Sequence, residues 1–452
     1  MLVLAGLVCV VFGVRADPTP ASAPSPRFAA PSARTPLVSA RRVPALFVDA
    51  VADSRLRTQL GTVTAPVDAC VAVNDRATPL ARINSTRPLA AASTQKLLVA
   101  AAALSVLGPD HRFATRAVSQ ASVTSGELSG DLIVVGGGDP VLTTGTDPNP
   151  AATRLSDLAD AIVRAGIKRI GGALVADDSR YDRLRTVPDW TAGEIAEGDA
   201  GALGALVVNG GYRGGIPADD PALDTVQELA NMLMARNVVI AGGVSHTEDR
   251  APTGAREITR VESPPLSAIV EQMLTASNNE TAELLTRELG FARGGAGTTA
   301  AGTQAVRAAL AHLGVPVAGV DLHDGSGLAP TDRVTCDALL RVVELGARAP
   351  LTAIDRGLPV AGLTGTLTSR FSGTSLVGRL RAKTGHITGV VGLAGVIDSQ
   401  TGPAEPRFAF VANGPFSTDA GAQLQDEIAA AIGAYPDAPS PVELVPAPLP
   451  SG

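Results

Sequence analysis

Hydrophobic and polar positions alternate in DACVAVND (68–75) and again in PLARIN (79–84), with a short break between them. Period two on both sides of a turn predicts a β-hairpin with one face on a core. The period then lengthens. STQKLLVAAAALSVLG (93–108) is apolar at helical spacing and stops at Gly108-Pro109, a helix end. From about 114 to 261 the texture changes. SGDLIVVGGGDP (129–140) reads as a buried strand closing in a glycine turn, and LSDLADAIVRAGIKRIGGALVADDSRYD (155–182) as a helix followed by a strand. LDTVQELANMLMARNVVIAGGV (223–244) has the same order, although the echo between AGIKRIGGALV and ARNVVIAGGV is too weak to define a repeat. Helices return in ESPPLSAIVEQMLTASNNETAELLTRELG (262–290), with Ser263 before Pro264 as the helix start. LVGRLRAKTG (376–385), GVVGLAGVID (389–398) and RFAFVANG (407–414) read as strands. Strands at both ends with helices between them predict an α+β main domain over 43–113 and 262–434, interrupted by inserted α/β lobes over 114–261.

The ends read differently. Residues 1–16, MLVLAGLVCVVFGVRA, form an apolar run of signal-peptide length with a cleavage site at Val14-Arg15-Ala16. No basic residues precede it, so an uncleaved N-terminal anchor, a membrane tether, stays open beside secretion. The Pro/Ala/Ser-rich stretch 17–42 is expected to be a stiff linker, and 435–452 a loose tail of similar composition. Export is the expectation.

Composition narrows the classes. Apolar residues at 45% and charged ones at 18% are globular values, and 452 residues exceed one ordinary core. A formal charge of −7, with no basic cluster along the chain, argues against a nucleic-acid or anionic-membrane surface. Once the leader is gone, Cys70 and Cys336 remain. Their pairing is open in an oxidising compartment, but two separate buried thiols are the favoured expectation. His111, His246, His312, His323 and His386 lack any metal-ligand spacing, so neither a metal nor another cofactor is expected.

Lysine is scarce. Only Lys96, Lys168 and Lys383 occur, and two of them stand where chemistry is plausible. Residues i and i+3 share a helix face, so the Lys96 amine reaches the Ser93 hydroxyl. A serine is a poor nucleophile until a base takes its proton. An amine with an ordinary pKa of about 10.4 is such a base at neutral pH only when burial or a nearby cation favours its neutral form. The apolar helix supplies burial, and Lys383 across a cleft is expected to supply the cation. The backbone N–H groups of Ser93 and His386 would hold an oxyanion. Ser277 would relay the proton to a leaving amine, and Asn279 would hold the substrate amide. Lys383 and Thr384 would bind a terminal carboxylate, with Gly385 on a strand that pairs with an extended substrate. Each motif alone is weak: S-x-x-K arises by chance, S-x-N is usually a capping turn, and K-T-G is an ordinary strand end. In that order, holding two of the three lysines, they are specific.

On these motifs the chain resembles the class C low-molecular-mass penicillin-binding proteins, which are serine D-alanyl-D-alanine carboxypeptidases and endopeptidases. GDLIVVGGGDPVL (130–142), VADDSRYD (175–182), LGALVVNGG (203–211), HDGSGLAPTDRVT (323–335) and GTLTSRF (365–371) extend the resemblance over most of 45–430. It implies a penicillin-recognising serine hydrolase (β-lactamase/transpeptidase-like) domain with an antiparallel sheet and helices. It further implies an enzyme in the extracytoplasmic wall space that cuts peptidoglycan stem peptides through an acyl-enzyme on Ser93, with β-lactams as covalent inhibitors. Two departures stand out: Asn278 where Asp is frequent, and His386 where a small residue or Thr is common. A β-lactamase or esterase on the same scaffold is the alternative enzyme, and a non-catalytic wall-binding protein the alternative of another class. The intact Ser93–Lys96 pair speaks against the latter.

Other residues are read as structural. Gly136–Gly138 form a tight turn rather than a phosphate cradle, and Asp177 and Asp178 a solvated strand end. Ser326 lies in a loop near the cleft with Asp324 as a structural residue, while Tyr181 and Trp190 fill the core of the insertion.

Overall fold

The computed structural model describes residues 44–145, 151–247, 249–400 and 403–439. The leader, the linker and the tail beyond 439 lie outside them. The chain divides into Met1–Phe47 and Val48–Gly452, and apart from the first four residues of the opening helix everything discussed below lies in the second unit.

Helix α1 (Pro44–Thr64) buries Ala52, Leu56 and Leu60, four residues apart on one stripe. Strands β1 (Asp68–Asp75) and β2 (Thr78–Ile83) form the expected antiparallel hairpin. A 3₁₀ turn, Ala92–Gln95, then leads into α2 (Lys96–Val106).

The insertion follows as β3 (Ala114–Ser119), β4 (Leu132–Val135), α3 (Leu155–Arg164), β5 (Leu174–Asp177), α4 (Pro221–Met234), β6 (Val244–Thr247) and β7 (Arg256–Glu262). Its sheet has the order β6-β5-β4-β3-β7, the first three strands parallel and the rest antiparallel. Leu155, Leu158 and Ile162 of α3 and Val226, Leu229 and Leu233 of α4 pack on Leu132, Val134, Leu174 and Ala176, a core separate from the rest. Each helix is followed by a short strand, Arg169–Ile170 or Val239–Ile240, and then by β5 or β6. These two units lie side by side with Arg169↔Val239 and Leu174↔Val244 in parallel register. The sequence echo dismissed above is therefore a structural duplication; its signal is faint because the shared features are apolar positions rather than identities.

Helices α5 (Leu266–Ala276), α6 (Asn279–Gly294), α7 (Thr299–His312) and α8 (Cys336–Leu345) come next, then β8 (Leu380–Ile387), β9 (Val390–Ile397), β10 (Pro406–Asn413) and α9 (Thr418–Gly433). The second sheet, β8-β9-β10-β1-β2, is antiparallel throughout and unites both ends of the chain. Alternation along it sets two faces. Ala72, Ala394, Val396, Ala409 and Val411 meet α2 and α5–α8, whereas Val71, Val73, Leu393, Phe408 and Phe410 meet α1 and α9. The fold is α+β, an antiparallel sheet between helical layers with an inserted α/β region.

Three local expectations need correction. Cys70 and Cys336 are joined in a disulfide (Cα–Cα 5.9 Å) rather than lying apart, because the helix-facing side of β1 meets the first residue of α8; 266 residues of separation hid this. Ser263 does not cap α5, whose N-cap is Pro265; its hydroxyl accepts from Phe113 N–H and donates to Pro264 O. Asp177 and Asp178 are buried, not solvated. Arg185 (2.7 Å) and His246 (2.9 Å) hold Asp178, while the Ser179 and Ala251 N–H groups hold Asp177. Among the described residues, no helix is long and apolar enough to cross a membrane.

Candidate active site

Ser93 stands in the 3₁₀ turn, where N–H groups have no acceptor behind them. Ala92 precedes it at φ 46°, a conformation that costs a non-glycine residue about 1–3 kcal/mol and persists only when its surroundings impose it. The imposing element is the 323–329 loop. A Cβ on Gly327 (φ 85°) would lie 2.1 Å from Ala92 O, so only glycine lets that loop brace the turn.

One helical turn on, the Lys96 amine is wholly buried and makes three hydrogen bonds: to Ser93 Oγ at 2.7 Å, Asn279 Oδ1 at 2.6 Å and Ser326 O at 2.7 Å. Burial lowers its pKa from 10.5 to about 7, against the opposing pull of Asp324, Glu280, Asp199 and Asp332. The expectation that Lys383 supplies the depressing charge is not met, since burial does this. The coupling runs the other way: burial pushes the Lys383 amine well below its ordinary value, and Lys96 adds to that.

Asp324 organises the floor. Its buried carboxylate accepts from Trp190 Nε1 (2.7 Å), Ser326 Oγ (2.6 Å), Gln95 Nε2 (3.1 Å) and the Gly327, Leu328 and Ala329 N–H groups. Glu283 of α6 holds the same loop through Gly325 N–H at 2.7 Å. The Ser326 carbonyl that receives Lys96 is fixed by this network. Trp190 and Tyr181 thus do more than fill the insertion. Their cluster includes Leu284 and Leu328 from outside it, and the Tyr181 hydroxyl reaches Glu288 at 2.9 Å.

Ser277 occupies the turn after α5 at φ 61°, half-buried, and its side chain makes no hydrogen bond among the described residues. The structure joins Asn279, not Ser277, to Lys96. Asn278 caps α6 through Thr281 N–H, which explains why Asn serves there as well as Asp. The Asn279 Nδ2 also donates to Asp199 O, and neighbouring Glu280 accepts from Gly201 N–H and the Tyr212 hydroxyl. The insertion therefore clasps the start of α6. Nothing in the sequence pattern pointed to Glu280 or Tyr212.

Strand β8 passes against Ala91–Thr94, close enough that a Cβ on Gly385 would lie 2.6 Å from Ala91 O. It is an edge strand. Ala382 N–H points away from β9, donating to Pro359 O. By strand alternation the N–H groups of Thr384 and His386 share that direction. The Lys383 amine donates to Thr384 O at 2.9 Å, and the Thr384 and Thr366 hydroxyls are hydrogen-bonded to each other. Gln425 of α9, absent from any motif, donates to Gly385 O and Gly392 O and pins the strand. The Ser93, Lys96 and Asn279 side chains meet directly, β8 borders them, and Ser277 flanks Asn279 in sequence.

Known proteins agree with this architecture. Residues 50–215 and 213–434 match the D-Ala-D-Ala carboxypeptidase 3 (S13) family. A carboxypeptidase of Mycobacterium tuberculosis is 31% identical over 415 residues, covering 86% of each chain. A D-alanyl-D-alanine carboxypeptidase of Actinomadura is 32% identical over 424 residues, covering 76% of this chain and 77% of its own. The crystal structure of penicillin-binding protein 4 from Haemophilus influenzae superposes with a TM-score of 0.71 over 83% of this chain and 99% of its own at 22% identity, a likeness of fold. The chain belongs to the D-Ala-D-Ala carboxypeptidase 3 (S13) family and is a peptidase of the D-alanyl-D-alanine carboxypeptidase class.

Proposed function

We propose that this enzyme removes the terminal D-alanine from peptidoglycan stem peptides outside the cytoplasm, and also cuts D,D cross-links, through an acyl-enzyme on Ser93. The catalytic unit is 43–113 with 262–434; 114–261 is an accessory region. The observation that carries the reading is the buried Lys96 amine 2.7 Å from Ser93 Oγ. Uncharged, it accepts the hydroxyl proton as Oγ attacks the scissile carbonyl. The oxyanion falls to the Ser93 and His386 N–H groups. The C–N bond then breaks, and the proton passes by way of Ser277 to the departing D-alanine amine. Water hydrolyses the ester with Lys96 again as base. Asn279 orients the substrate amide. Lys383 and Thr384 receive the terminal carboxylate, whose charge offsets the burial that disfavours the charged amine.

β-Lactams acylate the same serine. A fluorescent penicillin should give one covalent adduct, located by mass spectrometry on Ser93, and Ser93→Ala should not label while keeping its melting temperature. Equal labelling of the variant would reject the assignment. A long-lived adduct marks the carboxypeptidase, and rapid turnover the β-lactamase alternative.

A further inference from the structure

We propose that the accessory region carries a phosphate-binding pocket, formed where Arg112, Arg116, Arg180 and Arg250 converge at the carboxyl end of its parallel strands. No basic run exists in the sequence; folding gathers these four from positions 138 residues apart at the extremes (250 − 112). They line a cavity of about 420 Å³ with Asp177 and Phe291. Strands β4, β5 and β6 end there, and the sheet switches from parallel to antiparallel between β4 and β3. Open α/β sheets present their binding crevice outside the carboxyl ends of their strands.

The charge balance favours an anion. Arg180 is paired with Glu288 (2.7 Å) and stacks on Phe291 at 3.9 Å, and Arg112 donates to Ser263 O at 2.6 Å. Arg116 and Arg250, both exposed, make no side-chain hydrogen bond or ion pair among the described residues. Asp177, the acid in the lining, is buried with its two oxygens taken by the Ser179 and Ala251 N–H groups. Four guanidinium groups line the pocket against one carboxylate there, Asp177, and the Glu288 partner of Arg180. The surplus is two positive charges, in a chain of net charge −7. Several guanidinium forks with about that surplus suit a phosphate better than a single carboxylate. Gly136 and Gly137 line the pocket because the backbone crosses Ala205 O and Ala114 O there, so recognition rests on side chains rather than on a glycine loop.

The pocket is separate from the catalytic cleft. Phe291 lies twelve residues along α6 from Asn279, roughly 18 Å at 1.5 Å per residue. The inference does not depend on the roles assigned to Ser93 or Lys96.

Titration calorimetry on the whole enzyme at low salt, with inorganic phosphate as the probe, tests it. Wild type should bind saturably, with affinity falling as salt rises. Arg116→Gln/Arg250→Gln should bind at least tenfold more weakly while penicillin labelling and melting temperature stay unchanged. No binding, equal binding by the double variant, or acetate binding as tight as phosphate would overturn the proposal. Glycerol phosphate and a short glycerol-phosphate oligomer separate the sources: tighter oligomer binding marks a phosphodiester wall polymer, and equal affinity marks a free phosphate ester.

Discussion

The two five-stranded sheets place their buried charges differently. Beside the antiparallel sheet, Lys96, Lys383 and Asp324 are fully buried; hydrogen bonds hold Lys96 and Asp324 to neighbours distant in sequence, and Lys383 to the adjacent Thr384 carbonyl. The accessory sheet buries an apolar core against α3 and α4 and collects its charges at strand ends, where Asp178 meets His246 and Arg185. An isolated α/β layer stays folded by ordinary apolar burial. A catalytic floor that desolvates two amines and a carboxylate must be over-determined by its surroundings, and this is why the insertion reaches across with Trp190, Asp199 and Tyr212.

Asp324→Ala should break this contrast most severely. It strands four donors, Trp190 Nε1, Ser326 Oγ and the Gly327 and Ala329 N–H groups, while Gln95 and Leu328 keep a second acceptor; loss of one member of such a buried network costs about 3–5 kcal/mol. Urea unfolding should record that loss together with reduced acylation. Asp220→Asn, at a partly exposed carboxylate of the accessory region, should cost no more than about 1 kcal/mol. If the two variants lose equal stability, the contrast is wrong.

Removing the disulfide comes next. It closes a 266-residue separation that contains the whole insertion, so Cys70→Ala/Cys336→Ala should lower unfolding stability by about 2–4 kcal/mol. The unit that carries both cysteines should lose more protection in hydrogen exchange than the accessory sheet, which contains no cysteine.

The smallest effect sharpens the comparison through pH. Burial pulls the pKa of His246 down, but the hydrogen bonds and charges of Asp220 and Asp178 outweigh it and raise the pKa. Its contribution is therefore complete below its ordinary 6.5 and fades as pH rises through the folded value. Lys96, lowered to about 7, behaves oppositely: the unfolded chain binds the extra proton between 7 and 10.5, so stability gained by losing it rises across that window. Relative to wild type, His246→Asn should be less stable by about 1 kcal/mol at pH 5.5, the gap narrowing at alkaline pH. A constant gap would exclude the linkage.

Legibility followed the range of the interactions. Hairpin β1–β2, helix α2 and strands β8–β10 were readable because period and punctuation are local. The order of Ser93, Lys96, Asn279 and Lys383 was readable because chemistry restricts residue types. Helices α1 and α9 were missed: polar residues interrupt the stripe of Leu56 and Leu60, and α9 owes its place to the sheet it covers. Gln425, Glu280 and Trp190 act through hydrogen bonds to backbone or side chains far away in sequence, which leaves no trace in spacing. The cysteine pair was hidden for the same reason. The convergence of four arginines shows only after folding.

The account rests on Lys96 being uncharged when Ser93 attacks. Its most direct test is the rate of acylation by a fluorescent penicillin between pH 5 and 9, for wild type and Lys96→Ala. The account predicts a wild-type rate that rises with pH and reaches half its maximum near 7, where the buried amine loses its proton, and a variant at least about a thousandfold slower with no such inflection. A flat wild-type profile, or a variant that acylates at the wild-type rate, would contradict it.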